Sequence, residues 1–280
     1  MNILCISINI PSKDKKGYQI LSFHRLQYLA FKGHKIELVC FSNNEKNEKL
    51  ASQDLVKSGI KVHLIKYNKF QALINLFFKL FDKKIPIQCA IYFSPKFKSK
   101  VDEIIRNNVI DAIYSVMIRP ILNIKFNRFP VYVDLVDSMV INFERRYKSS
   151  KGLMKIALFE EYKRLKNFEA NVIASSKASF FVSSLDCSNY KKDFKEKIKV
   201  IPLGVNTKCK TAINYIERKY DLSFTGNMAY QPNIDAILWF YKNCWTSICK
   251  FFPRINLVIA GRDPIDKIKK LGILDKNIVV

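Results

Sequence analysis

Glycine and proline are scarce in this chain, 8 and 9 residues of 280. No Gly/Ser-rich or Pro-rich segment interrupts it, which excludes collagen-like and low-complexity architectures. Histidine is rarer still: His24, His34 and His63 stand alone and offer no zinc-ligand spacing. The seven cysteines are an odd set with no CxxC pair, and most sit in apolar runs. They read as reduced, buried thiols of a cytosolic protein rather than as a disulfide framework. No apolar run reaches the ~18–20 residues of a membrane-spanning helix, and Met1-Asn2-Ile3-Leu4 lacks the basic start of a signal peptide. Acidic residues are outnumbered two to one, 24 Asp+Glu against 48 Lys+Arg, for a net charge of +24. Such a field favours anionic partners, whether nucleic acid, nucleotide phosphates or acidic lipid. The lysine excess comes with abundant Asn and Ile, as AT-rich coding also gives, so charge alone selects no partner.

What is present is a core-forming sequence, 49% hydrophobic and 26% charged, in which strands and amphipathic helices alternate. Asn2–Ile8 reads as a buried strand, Gln19–Lys32 as a helix with apolar residues at 20, 23, 26, 29 and 30, and Lys35–Phe41 as the next strand. Further on, the pattern predicts a helix near Glu48–Ser58, strands at Lys61–Ile65, Ala112–Ser115 and Pro130–Leu135, and a helix at Val101–Asn107. A long helix over Gly152–Ala170 is expected to lead into a strand at Asn171–Ala174, a helix at Ser176–Ser184 and a strand at Ile198–Pro202. A second series follows: strand Tyr220–Phe224, helix Asn233–Phe251 with Asn233 as its cap, strand Asn256–Ala260, helix Pro264–Leu271 and a last run, Asn277–Val280. The expectation is an α/β chain with parallel sheets, a first Rossmann-like domain over 1–206, a linker at 207–219 and a second domain starting at 220. So few strands would leave the second domain with uncovered apolar surface, so it is expected to be incomplete.

Ligands of parallel sheets bind at the C-terminal ends of strands, which directs attention to the loops 9–18, 136–139, 175–177, 203–206, 226–232 and 261–264. Gly17 precedes a helix N-terminus, where a glycine lets backbone amides approach an anion, although a plain turn glycine reads the same way. Asp134 and Asp137 end a strand and are candidates for a catalytic pair; capping a helix or pairing with Arg145 and Arg146 explains them equally well. Gly204, in IPLGVN, follows a strand. Gly226-Asn227, in FTGNMAYQPNIDA, and Gly261-Arg262, in VIAGRDP, follow strands in the same way.

Taken together, LAFKGHKIELVCF, IPLGVN, FTGN and VIAGRDP resemble the retaining family 4 glycosyltransferases, which have the two-domain GT-B architecture. FTGNMAYQPNIDAILWF, with DLVDS at Asp134–Ser138, is most similar to the sugar transferases of exosortase/PEP-CTERM exopolysaccharide systems. The resemblance implies a nucleoside-diphosphate sugar as donor, a saccharide or lipid-linked acceptor, no metal or other cofactor, and no nucleic-acid partner. By resemblance Gly17, Gly204, Gly226 and Asn227 would serve donor binding, with Asp134 or Asp137 near the reacting sugar. The loop NMAYQPN departs from the family in lacking the Arg and Lys that face the leaving diphosphate; Arg262 is the candidate substitute. The family's E-x7-E segment would fall beyond Val280, so the chain is expected to be C-terminally truncated.

Between Lys66 and Lys100 stand eight lysines and one acid, Asp82, around the apolar stretch 70–81. Phe77, Phe78, Lys79, Lys83 and Lys84 are therefore candidates for contact with an anionic membrane surface, and an ordinary core helix with solvated lysines is the alternative. The expected enzyme is cytoplasmic, peripheral at the inner face of the cell membrane. The competing readings are a basic nucleic-acid-binding α/β module, for which no base-stacking platform is visible, and an inactive truncated remnant.

Overall fold

The computed structural model describes residues 1–15, 17–43, 52–80, 82–126, 128–204 and 219–280. It contains two compact units, Met1–Val205 and Asn206–Val280. The expected helix near 48–58 and the expected linker at 207–219 lie partly outside the described residues.

The first unit is built on seven strands: β1 (Asn2–Ser7), β2 (Lys35–Ser42), β3 (Lys61–Lys66), β4 (Ala112–Val116), β5 (Val131–Val136), β6 (Ala178–Phe181) and β7 (Ile198–Val200). They form one parallel sheet in the order β3-β2-β1-β4-β5-β6-β7. Period-two alternation explains why helices cover both faces. Leu4, Ile6, Val39, Phe41 and Ile113 point to one core, and Ile3, Cys5, Leu38, Cys40 and Tyr114 to the other. The helices are α1 (Gly17–Phe31), α2 (52–57), α3 (Lys69–Leu80), α4 (Ile87–Ala90), α5 (Pro95–Asn107), α6 (Met139–Ser149), α7 (Gly152–Ser175) and α8 (Lys191–Phe194). Phe23 and Leu26 of α1 fill the second core, while Phe97, Val101 and Ile104 of α5, Phe143 of α6 and Leu165 of α7 fill the first.

One stretch departs from the sequence pattern. Helix α7 runs through the expected strand at 171–174, and β6 occupies the middle of the expected helix at 176–184. Val172 and Ile173 continue the buried face of Leu158, Leu165 and Glu169, and Ala178–Phe181 alternates half-buried and buried residues as a strand does. A four-residue apolar run fits either element by periodicity, and packing decides it. The loop 175–177 therefore enters β6, and the strand's C-terminal edge is 182–186.

The second unit has three parallel strands, β8 (Leu222–Thr225), β9 (Leu257–Ala260) and β10 (Ile278–Val279), in the order β10-β9-β8. Its helices are α9 (Gln231–Phe240), α10 (Thr246–Phe251) and α11 (Asp266–Leu274), with a π-helical turn at Tyr241–Trp245 joining the first two. The expected single helix at 233–251 is thus interrupted. The wider turn buries Trp245, whose Nε1–H donates to Asp275 at 2.6 Å, and leaves Trp239 63% exposed rather than packed. Ile234, Ile237, Leu257, Ile259, Ile268 and Leu271 complete this core.

Candidate functional site

From β1 the chain builds outward through β2 and β3, then returns to β4 on the other side of β1. The topological switch point therefore lies at the C-terminal ends of β1 and β4, where parallel sheets bind ligands. The loop after β1 is pinned to the first turn of α1. Gln19 Nε2 donates to the Ile10 carbonyl at 2.7 Å, the Ser12 backbone amide donates to the Gln19 carbonyl at 3.1 Å, and Asn9 Nδ2 donates to the Tyr18 hydroxyl. Gly17 opens α1 without a positive φ, and the space a Cβ would take there is empty within 4 Å. No acidic side chain stands in that first turn.

Strand β4 ends at Val116; Met117 follows at φ 65°, and Arg119 stands two residues further on. Arg119 Nε and Nη2 both donate to Gln88 Oε1, at 3.1 and 2.8 Å. Its charge acts on two neighbours: it works against the burial that raises the Tyr18 hydroxyl's pKa, and against the crowding that raises the Asp137 carboxyl's. Sequence reading missed Arg119 because the 116–120 loop carries no glycine. The available signal was an arginine three residues after a buried strand.

Strand β5 ends in a register shift between Asp134 and Val136, with Val136 at φ 66°. Asp137 comes next and is exposed. Protein atoms crowded around it, and then the Asp186 carboxylate, hold its pKa above the usual aspartate value. Helix α6 starts two residues later, and its N-terminus is already satisfied by protein groups. Ser138 Oγ accepts from the Ile141 amide at 3.3 Å and donates to Glu169 Oε1 at 2.8 Å; Glu169 Oε2 accepts from the Met139 amide at 3.2 Å. Asp186 accepts from the Ser138 amide at 3.4 Å. Glu169 is fully buried, and burial pushes its pKa up to about 7 despite these hydrogen bonds. The buried Tyr190 hydroxyl lies beside it.

Asp134 is not brought to Asp137. Its side chain is 1% exposed, accepts from the Tyr114 hydroxyl at 2.5 Å and forms an ion pair with Arg25 of α1. Arg25 also donates to the Ile201 carbonyl at 3.2 Å. Burial works against the Arg25 charge, yet Asp134 outweighs it and raises the pKa. Arg145 and Arg146 are not its partners. This is a buried link between β5, β4 and α1, and Arg25, hidden on the polar side of an amphipathic pattern, gave no sequence signal.

In the second unit the two glycine loops lie side by side. The Gly226 amide donates to the Ala260 carbonyl at 3.1 Å and the Met228 amide to the Arg262 carbonyl at 2.8 Å. A Cβ on Gly261 would collide with the Gly226 carbonyl oxygen, and one on Gly226 would meet Asn233 Nδ2 at 2.7 Å. Glycine is needed at both positions for close approach of backbone, not for a positive φ. Asn227 Oδ1 accepts from the Ala229 amide at 2.8 Å, and its carbonyl accepts from Asn233 Nδ2 at 2.9 Å. Asn233 therefore lies inside the first turn of α9, which begins at Gln231, and does not cap the helix as expected. Arg262 is exposed, and its guanidinium has no partner among the described residues. Gly204 is exposed in open space beyond β7.

On α3, Phe77 and Phe78 are exposed, Lys79 pairs with Asp82 at 2.7 Å, and Lys83 and Lys84 face solvent. Among the described residues no helix is long and apolar enough to cross a membrane, and no group of His, Cys, Asp or Glu is arranged to hold a metal ion.

The fold defines a class: Rossmann-like α/β units with helices packed on parallel sheets. No protein-family model and no curated protein matches the chain in sequence. Solved structures do match in fold. TarM aligns with a TM-score of 0.62 at 8% identity, over 99% of this chain and 76% of its own. Arabidopsis thaliana UGT89C1 complexed with UDP aligns with a TM-score of 0.50 at 9% identity, over 99% of this chain and 70% of its own. The same protein complexed with UDP-L-rhamnose gives 0.50 at 9%, over 100% and 69%. Both proteins are GT-B glycosyltransferases, and this chain has an α/β fold of the GT-B type.

Proposed function

We propose that this protein is a glycosyltransferase that moves a sugar from a nucleoside-diphosphate sugar to a hydroxyl of a saccharide or lipid-linked acceptor. The observation that carries the reading is the arrangement of loops at one edge of the first sheet: Tyr18 follows β1 and Arg119 follows β4, the two strands of the switch point, and Asp137 follows the adjacent β5. These loops supply a cation and an exposed carboxylate at the same edge of the sheet as the N-terminus of α1. The likeness to UGT89C1, which was solved with UDP and with UDP-L-rhamnose, supports a nucleotide-sugar donor. The sequence resemblance to the family 4 and exosortase-associated transferases supports retention of configuration and a role in exopolysaccharide synthesis.

Breaking the bond from the anomeric carbon to the diphosphate leaves positive charge on the sugar and negative charge on the leaving group. Backbone amides at Gly17 and the Arg119 guanidinium are suited to the departing phosphate. In the second unit, the Gly226-Asn227 turn and the unpaired Arg262 have the same chemical character. Asp137 is suited to the sugar side, where an ionised carboxylate stabilises the developing positive charge and orients the attacking hydroxyl. Asp134, sealed behind Arg25 and Tyr114, is assigned to holding β5 in place. No metal is required in this scheme, because the cations are side chains.

The test is titration of the chain with UDP and GDP by calorimetry, followed by assay of sugar transfer and donor hydrolysis. Saturable nucleotide binding is expected. Arg119→Ala should weaken it about tenfold or more, the loss expected for a charge-assisted hydrogen bond. Asp137→Asn should keep nucleotide affinity and lose turnover. Steeply salt-dependent binding of mixed oligonucleotides with no effect of UDP or GDP would instead support the reading based on the +24 charge.

A further inference from the structure

Two clusters of exposed apolar side chains in the first unit lie on segments far apart in sequence. On α3, Phe70, Leu73, Phe77 and Phe78 are 62–71% exposed. On the first turns of α7, Leu153, Met154 and Ile156 are 61–85% exposed. Residues 151–157 are exposed all round, so the start of α7 overhangs the core it later joins at Leu158. The fold ties the two segments together. Arg164 of α7 donates to the carbonyls of Lys79 and Ile85, at 2.8 and 3.5 Å, and Glu161 accepts from the amides of Ile87 and Gln88, at 2.9 and 3.1 Å. Ten residues of helix separate Arg164 from Met154, so the overhanging turns begin roughly 15 Å along α7 from the point where it is tied to the C-terminal end of α3.

The charges around them have one sign. Neither 66–81 nor 150–159 contains an acidic residue, and both contain lysines: Lys66, Lys69 and Lys79 in the first, Lys151 and Lys155 in the second. The nearest exposed acids are paired, with Asp82 on Lys79, Glu144 on Lys148 and Glu160 on Lys163, and Glu161 is buried against the Ile87 and Gln88 amides. An apolar surface in water is ordinarily covered by something of matching chemistry, and the charges bordering this one that are unpaired among the described residues, Lys66, Lys69, Lys83, Lys84, Lys151 and Lys155, are cations. A membrane leaflet offers hydrocarbon beneath a layer of negative headgroups. Protein partners of a lysine-rimmed patch would have to bring their own acids.

We infer that α3 and the overhanging start of α7 form one docking surface for an anionic lipid bilayer, with Phe77, Phe78, Leu153 and Met154 entering the interface and the flanking lysines engaging headgroups. This inference does not depend on the proposed sugar transfer. The sequence alone points to α3; the contribution of α7 emerges from the fold.

The net charge of +24 would by itself hold the protein on anionic vesicles, so the deciding variants leave charge unchanged. Flotation of the full chain is measured with phosphatidylcholine vesicles and with vesicles containing 30% phosphatidylglycerol. The full chain should bind the anionic vesicles and not the neutral ones. Phe77→Ser/Phe78→Ser and Leu153→Ser/Met154→Ser should each lower the partition coefficient about tenfold, consistent with loss of buried apolar area. Phe251→Ser/Phe252→Ser, at exposed positions of the second unit, should leave it unchanged. Lys151→Gln and Lys155→Gln should weaken binding roughly fivefold each. Equal partition of all serine variants and the parent would overturn the inference, leaving only diffuse charge attraction. So would binding to neither vesicle, or a self-association of the parent that the same serine pairs abolish, which would make a second copy the occupant.

Discussion

Replacing Glu169 by glutamine separates the pH dependence of one buried carboxyl from everything else in the protein. In the folded chain burial holds this group at about 7, against an ordinary value of 4.5. The native state therefore holds the proton more tightly than the unfolded chain does. Stability from this residue is greatest below the ordinary value, falls as pH rises between the two, and is fully lost above about 7. At about 1.4 kcal/mol per pH unit the whole loss is about 3 kcal/mol, a large part of the ~5–15 kcal/mol that holds a domain together. Glutamine has nearly the same shape and does not titrate. Its amide is a donor facing the Met139 amide or Ser138 Oγ, which adds a constant cost or gain, and a constant offset cancels when the two proteins are compared across pH. Urea unfolding of parent and Glu169→Gln from pH 5 to 8.5 should show the variant gaining about 2.5 kcal/mol relative to the parent over that range. The signal should be far-UV circular dichroism, because the chain's 2 tryptophans, Trp239 and Trp245, both lie in the second unit. A stability difference that stays flat with pH, or one in which the parent gains as pH rises, would refute the argument that desolvation dominates at Glu169.

The Gly261→Ala variant should lose about 3 kcal/mol in tryptophan-monitored unfolding of the second unit, because its Cβ meets backbone. Gly226→Ala should lose about 1 kcal/mol, because it meets only the Asn233 side chain, and equal losses would contradict that distinction. Arg25→Met should cost about 3–5 kcal/mol by leaving the buried Asp134 charge unpaired, with most of it recovered in Arg25→Met/Asp134→Asn; additive losses on unfolding by circular dichroism would argue against the coupling. If Asp137 acts ionised, kcat/KM should fall as pH drops through its raised pKa. The acid limb should then lie above the range of an ordinary aspartate and be absent in Asp137→Asn.

Strands with unbroken apolar runs, such as Leu4–Ile6 and Val131–Val133, were legible in the sequence because burial on both faces demands that composition. So was the α/β alternation, and the fold class follows from it. The stretch 171–184 was not legible, because Asn171–Ala174 satisfies helix and strand alike until Leu158, Leu165 and Glu169 supply a face for Val172 and Ile173 to continue. At the candidate site the local signals were glycines and paired acids. They drew attention to Asp134 and Asp137 together, although pairing partners cannot be read from spacing: Arg25 is 109 positions away from Asp134. Arg119 and Glu169 carry no motif. Their environments, Gln88 and Asp137 for one and the start of α6 for the other, exist only once the sheet has brought four loops to one edge.

That edge is also where the chain breaks its own local rules. Met117 and Val136 hold positive φ at the ends of adjacent strands, a region that costs a β-branched residue such as valine more than most. Each is tied into the sheet by its neighbour: the Met117 amide donates to the Asp134 carbonyl, and the Val182 amide to the Val136 carbonyl, both at 2.8 Å. The register shift between Asp134 and Val136 lies at the same point. One residue further on stands Asp137 with a raised pKa, and beneath the helix that starts after it lies Glu169, held near neutrality by burial. Strained backbone persists only where the surrounding structure over-determines it, and perturbed carboxyls gather where chemistry needs them. Either alone has ordinary structural explanations. Their coincidence on the end of β5, beside the switch point that the strand order defines, is why the search for turnover starts at Asp137 rather than at the better-buried Asp134. A chain selected only for stability would be expected to replace Val136 with glycine and Glu169 with glutamine.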